Sequence, residues 1–224
     1  MENKQDVTID YPLLKINFSL DTKGVFQHRV RDHLIPAISQ DKDYFAQYCG
    51  VWEYLYSHVL KLDAKKVLEF GTREAYSTRL FALALRKTGG HIWTVDVTDP
   101  KLNDREKQEF SNITFLKTDV TKLDWKEPVD ILFIDDWHNK WHLYWELATF
   151  GKLARTIIIH DVVQNHGKEE WISSAVIEYC IQNLIPFTFI PLNGCGLIVI
   201  EAEDHKNFYE KEEIVVKGED DETV

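Results

Sequence analysis

Short apolar runs alternate with longer stretches of helical period from Lys66 onward. Seven of these runs have the length and composition of β-strands. Because the intervals between the first five are long enough for a helix, we expect a parallel sheet with helical crossovers. The predicted strands are Val67–Phe70, Ile92–Asp96, Ile113–Leu116, Ile131–Ile134, Thr156–His160, Phe187–Pro191 and Gly196–Ile200.

Only the short turn 192–195 separates the last two runs. This turn cannot hold a crossover helix, so the two strands must pair antiparallel. We therefore predict an α/β fold with a doubly wound, Rossmann-like sheet of seven strands. The sheet is mostly parallel, ends in a C-terminal antiparallel hairpin, and carries helices on both faces.

The N-terminal part of the chain has a different pattern. Residues 1–24 show no clear helical period and are predicted to form an extended lead-in or cap. Apolar residues recur at three- and four-residue steps over Phe45–Leu60, which predicts an amphipathic helix beside the first strand. We expect a single domain: an N-terminal extension with capping helices (1–61), a core (62–205) and an acidic tail (206–224).

A glycine turn follows the first predicted strand. Gly71 lets the backbone turn sharply, and small side chains after it let a nucleotide or nucleoside approach the loop and the next helix. The turn lacks the GxGxxG pattern, which disfavours a dinucleotide pyrophosphate. An ordinary strand-to-helix turn is the alternative. The segment reads Glu69-Phe70-Gly71-Thr72-Arg73-Glu74-Ala75-Tyr76-Ser77-Thr78.

Acidic residues end the next two strands. Asp96 can accept hydrogen bonds from both hydroxyls of a ribose, because neighbouring parallel strands bring their carboxyl ends to one crevice. Asp119 follows the third strand, where two interpretations stay open: contact with an adenine edge, or the cap of a helix. Gly71 and Asp96 together are a more specific signal than either residue alone.

These residues, in this order and followed by a terminal hairpin, resemble a class I S-adenosylmethionine-dependent methyltransferase over roughly residues 62–200. The Gly-Thr-Arg turn is similar to a branch of small-molecule O-methyltransferases, although Ala75 stands where that branch often has glycine. The resemblance implies that Glu69 and residues 71–75 border the methionine end of S-adenosyl-L-methionine. The implied cofactor-binding residues are Glu69, Gly71, Thr72, Arg73, Ala75, Ser77, Asp96, Asp119 and Asp135.

Two further acids follow the fourth and fifth strands. If these strands are neighbours, Asp135 and Asp161 emerge side by side, and a divalent cation between them would relieve their repulsion, with Mg²⁺ favoured. The Asp-x-x-His step resembles metal-dependent O-methyltransferases, in which a third oxygen ligand adjoins the second acid. His160 and Val162 stand there, so the third ligand is absent, an imidazole or water. We take His160 as the candidate; its alternative role is a hydrogen bond at the sheet edge.

His138 is the candidate general base. Deprotonation makes a substrate hydroxyl nucleophilic, and a neutral imidazole beside a metal can accept that proton near pH 7. The alternative is that the acids and His138 are solvated polar groups at strand ends.

Aromatic residues are dense after the fourth and fifth strands. Trp141, Tyr144 and Trp145 share a helix face, which predicts core packing for most of them. Trp137 and Trp171 are candidate walls of a substrate pocket.

Charge and composition restrict the classes of binding partner and the cellular location that we expect. The 224 residues carry a formal net charge of −11, which repels phosphate backbones and makes nucleic acid a poor partner. No apolar run reaches the roughly 18 residues of a membrane span, and the start is too polar for a signal peptide. The three cysteines form no CxxC pair, which fits a reducing compartment. We expect a cytoplasmic protein without a membrane partner; a homo-oligomer stays open.

The combined prediction is metal-assisted O-methylation of a small-molecule hydroxyl, with S-adenosyl-L-methionine as methyl donor. A noncatalytic protein that binds S-adenosylmethionine and has lost a complete metal site is the alternative from another class. An NAD-dependent dehydrogenase is weaker, because the glycine turn lacks the pyrophosphate pattern.

Overall fold

The computed structural model describes residues 7–11, 14–18, 42–102, 108–162, 172–190 and 196–201. No helix among them is both long and apolar enough to cross a membrane. The elements in chain order are β1 (Val7–Tyr11), β2 (Leu14–Phe18), α1 (Lys42–Leu62), β3 (Lys66–Phe70), α2 (Tyr76–Thr88), β4 (His91–Asp96), β5 (Ile113–Lys117), β6 (Val129–Ile134), α3 (Lys140–Phe150), β7 (Ala154–His160), α4 (Ile172–Gln182), β8 (Phe187–Ile190) and β9 (Leu197–Glu201).

One sheet contains all nine strands, in the order β1-β2-β8-β9-β7-β6-β3-β4-β5. The seven strands β3 to β9 confirm the predicted fold: β5, β4, β3, β6 and β7 pair in parallel, and β9 runs antiparallel to both β7 and β8. Since β3 pairs with β4 on one side and β6 on the other, the strand order reverses there. Ligands of doubly wound sheets bind at such a reversal, outside the carboxyl ends of the strands.

The N-terminal strands extend this sheet. β1 and β2 pair antiparallel, and β2 pairs in parallel with β8. The prediction of a lead-in or cap missed this role, because the free edge of β8 that β2 joins exists only after the sheet has formed. The expected turn 192–195 and the acidic tail 206–224 lie outside the described residues.

Two apolar clusters cover the faces of the sheet. On one face, α1 contributes Val51, Leu55 and Val59, which belong to the same buried cluster as Val67 of β3. This confirms the predicted helix beside the first strand. The other face is covered by α3 and α4, whose apolar residues share a cluster with the opposite side of the central strands.

Helix α3 buries a different face from the one that its aromatic residues predict. Trp141 is 62% exposed and Trp145 36% exposed, so their predicted core packing is wrong. The buried side chains are Leu143, Glu146, Leu147 and Phe150. The spacing of Trp141, Tyr144 and Trp145 places them on one face of α3, but contact with the sheet and α4 decides which face is buried.

Candidate active site at the carboxyl ends of the strands

The turn after β3 requires glycine. Gly71 has a φ of +90°, and a Cβ there would lie 2.3 Å from the backbone oxygen of Asp135. The amide of Asp135 donates to the carbonyl of Phe70 at 2.9 Å, so β3 and β6 stay in register up to this point. The turn therefore lies directly against the end of β6, and any side chain at position 71 would separate the two strands.

Two non-glycine residues in the same loop are also left-handed. Arg73 has a φ of 42° and Ala75 a φ of 59°. Such a conformation costs about 1–2 kcal/mol per L-residue. Ala75 thus adopts the backbone that the resemblance associates with glycine, and its amide donates to the carbonyl of Thr72. Helix α2 begins immediately after this strained loop.

Glu69 lies in the protein interior and does not border the cavity beside the loop. Its side chain is fully buried, and its Oε2 accepts a hydrogen bond of 2.6 Å from the Thr78 hydroxyl. Burial raises the pKa of Glu69 to about 7, and hydrogen bonds from neighbouring hydroxyls only partly oppose this shift. Burial therefore favours the protonated form of Glu69 more than that of an exposed glutamate.

Asp96 anchors the loop. Its Oδ2 accepts hydrogen bonds from the amides of Thr72 and Arg73, at 3.0 and 2.9 Å. Its Oδ1 accepts from the amide and the hydroxyl of Thr98, at 2.8 and 2.9 Å. A carboxylate has about four lone-pair positions, so these four donors occupy them all. A ribose at this position would have to replace one of them, and the Thr98 hydroxyl is free to rotate away.

A cavity of about 430 Å³ opens at the point where the strand order reverses. Its size falls within the usual range for small-molecule sites. Of the predicted cofactor residues, Glu69, Thr72, Ala75 and Ser77 do not line it. Those that do are Gly71, Arg73, Asp96, Asp119 and Asp135.

The two interpretations of Asp119 are both compatible with its position. The residue lines the cavity, and its Oδ1 also accepts from the amide and hydroxyl of Thr121 at the start of a 3₁₀ turn, Val120–Lys122. A contact with adenine stays a prediction.

Asp135, His138 and Asp161 come together beside the cavity. His138 Nε2 lies 3.6 Å from Asp135 Oδ1 and 3.3 Å from Asp161 Oδ2. Asp161 has a φ of 58°, a left-handed conformation rarely adopted outside glycine, asparagine and aspartate. Strained backbone of this kind concentrates at functional sites. The three side chains could jointly ligate one metal ion.

The histidines decide the charge of this cluster. Burial opposes ionisation of Asp135, but His160 and His138 outweigh it and lower the pKa of Asp135 to about 2. Burial likewise opposes the charged form of His138, yet Asp135 and Asp161 raise its pKa to about 9. In the absence of another cation, His138 is thus an imidazolium between two carboxylates at neutral pH, and it cannot accept a proton in that form.

His160 adjoins the same carboxylates from inside the protein. Its Nδ1 lies 3.1 Å from Asp135 Oδ1 and 3.5 Å from Asp161 Oδ1, and its ring packs near Trp52 and Phe133. The position after Asp161 offers no ligand, because Val162 is fully buried in the core. His160 therefore contacts both carboxylates, and its role as a metal ligand stays a prediction.

Solved structures with the same topology indicate what this arrangement resembles. Neither the protein-family models nor the curated proteins contain a match to this sequence. The O-methyltransferase TomG from Streptomyces achromogenes, solved in complex with SAM, superposes with a TM-score of 0.50 at 15% identity, over 80% of this chain and 88% of that one. An O-methyltransferase from Bacillus cereus, in complex with SAH, gives 0.52 at 16%, over 80% and 89%.

A SAH-bound methyltransferase from Podospora anserina, PaMTH1, gives a TM-score of 0.51 at 14% identity, over 76% of this chain and 93% of that one. The chain has the class I methyltransferase fold. In this methyltransferase fold the glycine turn, Asp96 and the Asp135 cluster all lie at the carboxyl edge of the sheet, as the resemblance implies.

Sequence reasoning missed a second polar cluster in the methyltransferase fold. Asp136, His142 and Glu146 also bring possible metal ligands together. The available signal was the His-x-x-x-Glu step, which places both side chains on one helix face, one turn after the strand-end Asp136. Trp137 lines the cavity, and its role as a wall of a substrate pocket stays a prediction, while Trp171 lies outside the described residues.

Proposed function

We propose that this protein is an S-adenosylmethionine-dependent O-methyltransferase that acts on a small-molecule hydroxyl with the help of a divalent cation, Mg²⁺ being the favoured ion. One observation carries the proposal. Asp135 both lines the 430 Å³ cavity and contacts His138 and His160, so the candidate cofactor site and the acid cluster share a wall. Two reactants bound on either side of Asp135 would be adjacent, and such alignment is a large source of rate enhancement.

The cavity fits the cofactor in size and in position. The Gly71 turn keeps the loop tightly folded beside the cavity, and Asp96 presents a carboxylate to it. TomG and the Bacillus cereus enzyme hold SAM and SAH on this fold, which supports the same ligand here. An NAD-dependent dehydrogenase is disfavoured, because no second glycine follows Gly71 in the loop.

The acid cluster fits a cation by its donor spacing. Metal–ligand bonds of about 2.1 Å place neighbouring ligand atoms roughly 3.0–3.4 Å apart. The histidine nitrogens lie 3.1–3.6 Å from the carboxylate oxygens of Asp135 and Asp161. Carboxylates suit Mg²⁺, whereas an imidazole ligand shifts the preference toward Mn²⁺ or later transition ions. His160 would then be the nitrogen ligand.

The chain's own residues would orient the reactants and move one proton. A bound divalent cation supplies positive charge that lowers the pKa of a contacting hydroxyl. The acceptor oxygen attacks the methyl carbon of the sulfonium, the carbon–sulfur bond breaks, and its electron pair stays on sulfur. His138 accepts the hydroxyl proton at Nε2. This requires that another positive charge balances Asp135 and Asp161, because alone they keep His138 protonated.

The noncatalytic alternative has one specific observation in its favour. His138 already pairs with Asp135 and Asp161, and Val162 offers no third ligand. A protein of this kind would bind S-adenosylmethionine and leave the acid cluster without a metal.

Calorimetry tests the proposal and separates it from both alternatives. S-adenosylmethionine and its demethylated product should bind, with and without Mg²⁺, and NAD should not; tight NAD binding would overturn the family assignment. Mg²⁺ or Mn²⁺ should bind the wild-type protein, and the Mg²⁺ binding should disappear in Asp161→Asn while the variant remains folded. If neither ion binds the wild-type protein, the noncatalytic alternative gains.

Turnover tests the role of His138. After a screen of catechols, sugars and hydroxylated natural products has found an acceptor, His138→Ala should slow methyl transfer by about 10²- to 10⁴-fold with nearly unchanged cofactor affinity. A variant that loses cofactor binding but turns over normally at saturation would move His138 into the cofactor pocket. An unchanged rate would leave it a loop histidine.

A further inference from the structure

A second cluster lies next to the first but shares no side chain with it. Asp136 follows Asp135 in the loop after β6, while His142 and Glu146 lie one turn apart on α3. His142 Nε2 lies 3.0 Å from Asp136 Oδ2 and 3.4 Å from Glu146 Oε1. The imidazole nitrogen is therefore flanked by two carboxylates that come from different elements of the fold.

Glu146 is the unusual member of this cluster. Its side chain is completely buried, on the face of α3 that also buries Leu143 and Leu147. Apart from its approach to His142, neither carboxylate oxygen meets a hydrogen-bond donor within the part of the chain that the structure describes. The charged form of a buried carboxylate with too few hydrogen-bond donors is unfavourable, so a ligand with positive charge would stabilise that form here.

The surroundings leave room for such a ligand. A cavity of about 10 Å³, close to the space that one water-sized body needs, lies between the two clusters. Glu146 and Asp136 border it on one side, and Asp135, His138 and His160 of the first cluster also line it. The ligand atoms of Asp136, His142 and Glu146 all lie within 4.8 Å of one another. The 3.0 and 3.4 Å contacts of His142 match the roughly 3.0–3.4 Å between neighbouring ligands of an ion with bonds of about 2.1 Å.

We propose that Asp136, His142 and Glu146 form a second cation site, specific for a first-row transition ion, with Zn²⁺ as the best fit. One imidazole and two carboxylates are a donor set that Zn²⁺ accepts in tetrahedral sites with a fourth, open position. Mg²⁺ prefers oxygen ligands and octahedral geometry, so it would favour the Asp135 cluster instead. The site is distinct from the cation site of the proposed function and does not depend on methyl transfer.

The position of the site gives it a consequence for the cavity. Asp136, Trp137 and His142 all contribute to the wall of the 430 Å³ cavity. A cation held by Asp136 and α3 would fasten the loop after β6 to the helix that follows it. The Trp137 ring, whose centroid lies 5.4 Å from that of His142, would then be positioned by a metal-bound neighbour.

Zn²⁺ binding without any cofactor or methyl acceptor tests the inference. Equilibrium dialysis with metal analysis should show two tight equivalents for the wild-type chain and one for Asp161→Asn. Glu146→Gln keeps the size of the side chain but removes its charge, and it should weaken one Zn²⁺ site by more than about 100-fold. Glu127→Gln, a change at a 70% exposed carboxylate, is the matched control and should keep both equivalents.

The outcomes are distinguishable. If Glu146→Gln binds as much Zn²⁺ as the wild type, or if Asp161→Asn abolishes all tight binding, the second site does not exist. A single tight equivalent in the wild type that persists in Asp161→Asn and is lost in Glu146→Gln would contradict only the cation site of the proposed function. Circular dichroism checks folding; if Glu146→Gln is unfolded, Asp136→Asn replaces it with the same expected loss. Co²⁺ provides an independent readout, since Co²⁺ bound at the second site should absorb visible light. This absorption should persist in Asp161→Asn and vanish when Asp161→Asn is combined with Asp136→Asn.

Discussion

The buried carboxyl group of Glu69 should make the stability of this protein depend on pH. The side chain is inaccessible to solvent, and Thr78 donates a hydrogen bond of 2.6 Å to it. The substitution Glu69→Gln keeps the size of the side chain and its acceptor oxygen. The glutamine side chain cannot ionise. The difference in unfolding free energy between variant and wild type therefore isolates the ionisation of Glu69.

The magnitude follows from the pKa of Glu69, about 7 in the folded protein against an ordinary value of 4.5. Between these values the folded state keeps a proton that the unfolded state has lost, so wild-type stability falls as pH rises. The slope is about 1.4 kcal/mol per pH unit, and the whole shift corresponds to about 3 kcal/mol. Below pH 4.5 the effect is fully favourable; above pH 8 the loss is complete.

Urea unfolding at a series of pH values from 5 to 8.5 measures this difference. The advantage of Glu69→Gln over the wild type should grow by roughly 2–3 kcal/mol across the series. Glu127→Gln, at an exposed carboxylate, should show no such trend. A pH-independent difference between Glu69→Gln and the wild type would show that burial does not perturb Glu69, and the reasoning would fail.

Three further predictions concern the loop and helix that border the cavity. Gly71→Ala should lower the unfolding free energy by about 3 kcal/mol or more, because the added Cβ would collide with the backbone of Asp135. The control is Gly89→Ala, at a left-handed position where nothing lies within 4 Å of the added Cβ. This variant should lose about 1 kcal/mol in the same urea titration. Asp96→Ala should weaken binding of S-adenosylmethionine roughly 10- to 150-fold in calorimetry. Thr98→Ala, which only frees one lone pair of Asp96, should not weaken it, and equal losses would refute a ribose contact. Asn139→Ala should cost about 1 kcal/mol in thermal unfolding, since the Asn139 side chain caps α3 by accepting two amide hydrogen bonds; no loss would mean that α3 does not need this cap.

Local pattern was sufficient for the core of the fold. Strand positions depend on short apolar runs, and a crossover helix needs a minimum number of residues, so the parallel strands and the hairpin could be predicted from residues 66–201. The requirement for Gly71 was also visible, because a strand that turns sharply into a helix needs a residue that tolerates a positive φ.

Contacts between distant residues decided the rest. The role of β1 and β2 depends on a free edge at β8, and no pattern within residues 7–18 encodes that edge. Asp96 was correctly placed at the cavity, but its four hydrogen bonds depend on the path of the loop after β3. Residue spacing predicts the structure of one helix or strand at a time. The hydrogen-bond donors of a carboxylate such as Asp96 can come from any part of the chain that folds against it.

The acid clusters show the same division. The sequence alone determined that acids follow β6 and β7, and parallel neighbours made the meeting of Asp135 and Asp161 predictable. Only the tertiary structure decided that His138 lies between them, and that Glu146 rather than the tryptophans of α3 points into the protein. The charge of a side chain depends on the charged groups near it, and the face that a helix buries depends on its packing partners. Both come into place only when the sheet and the helices pack together.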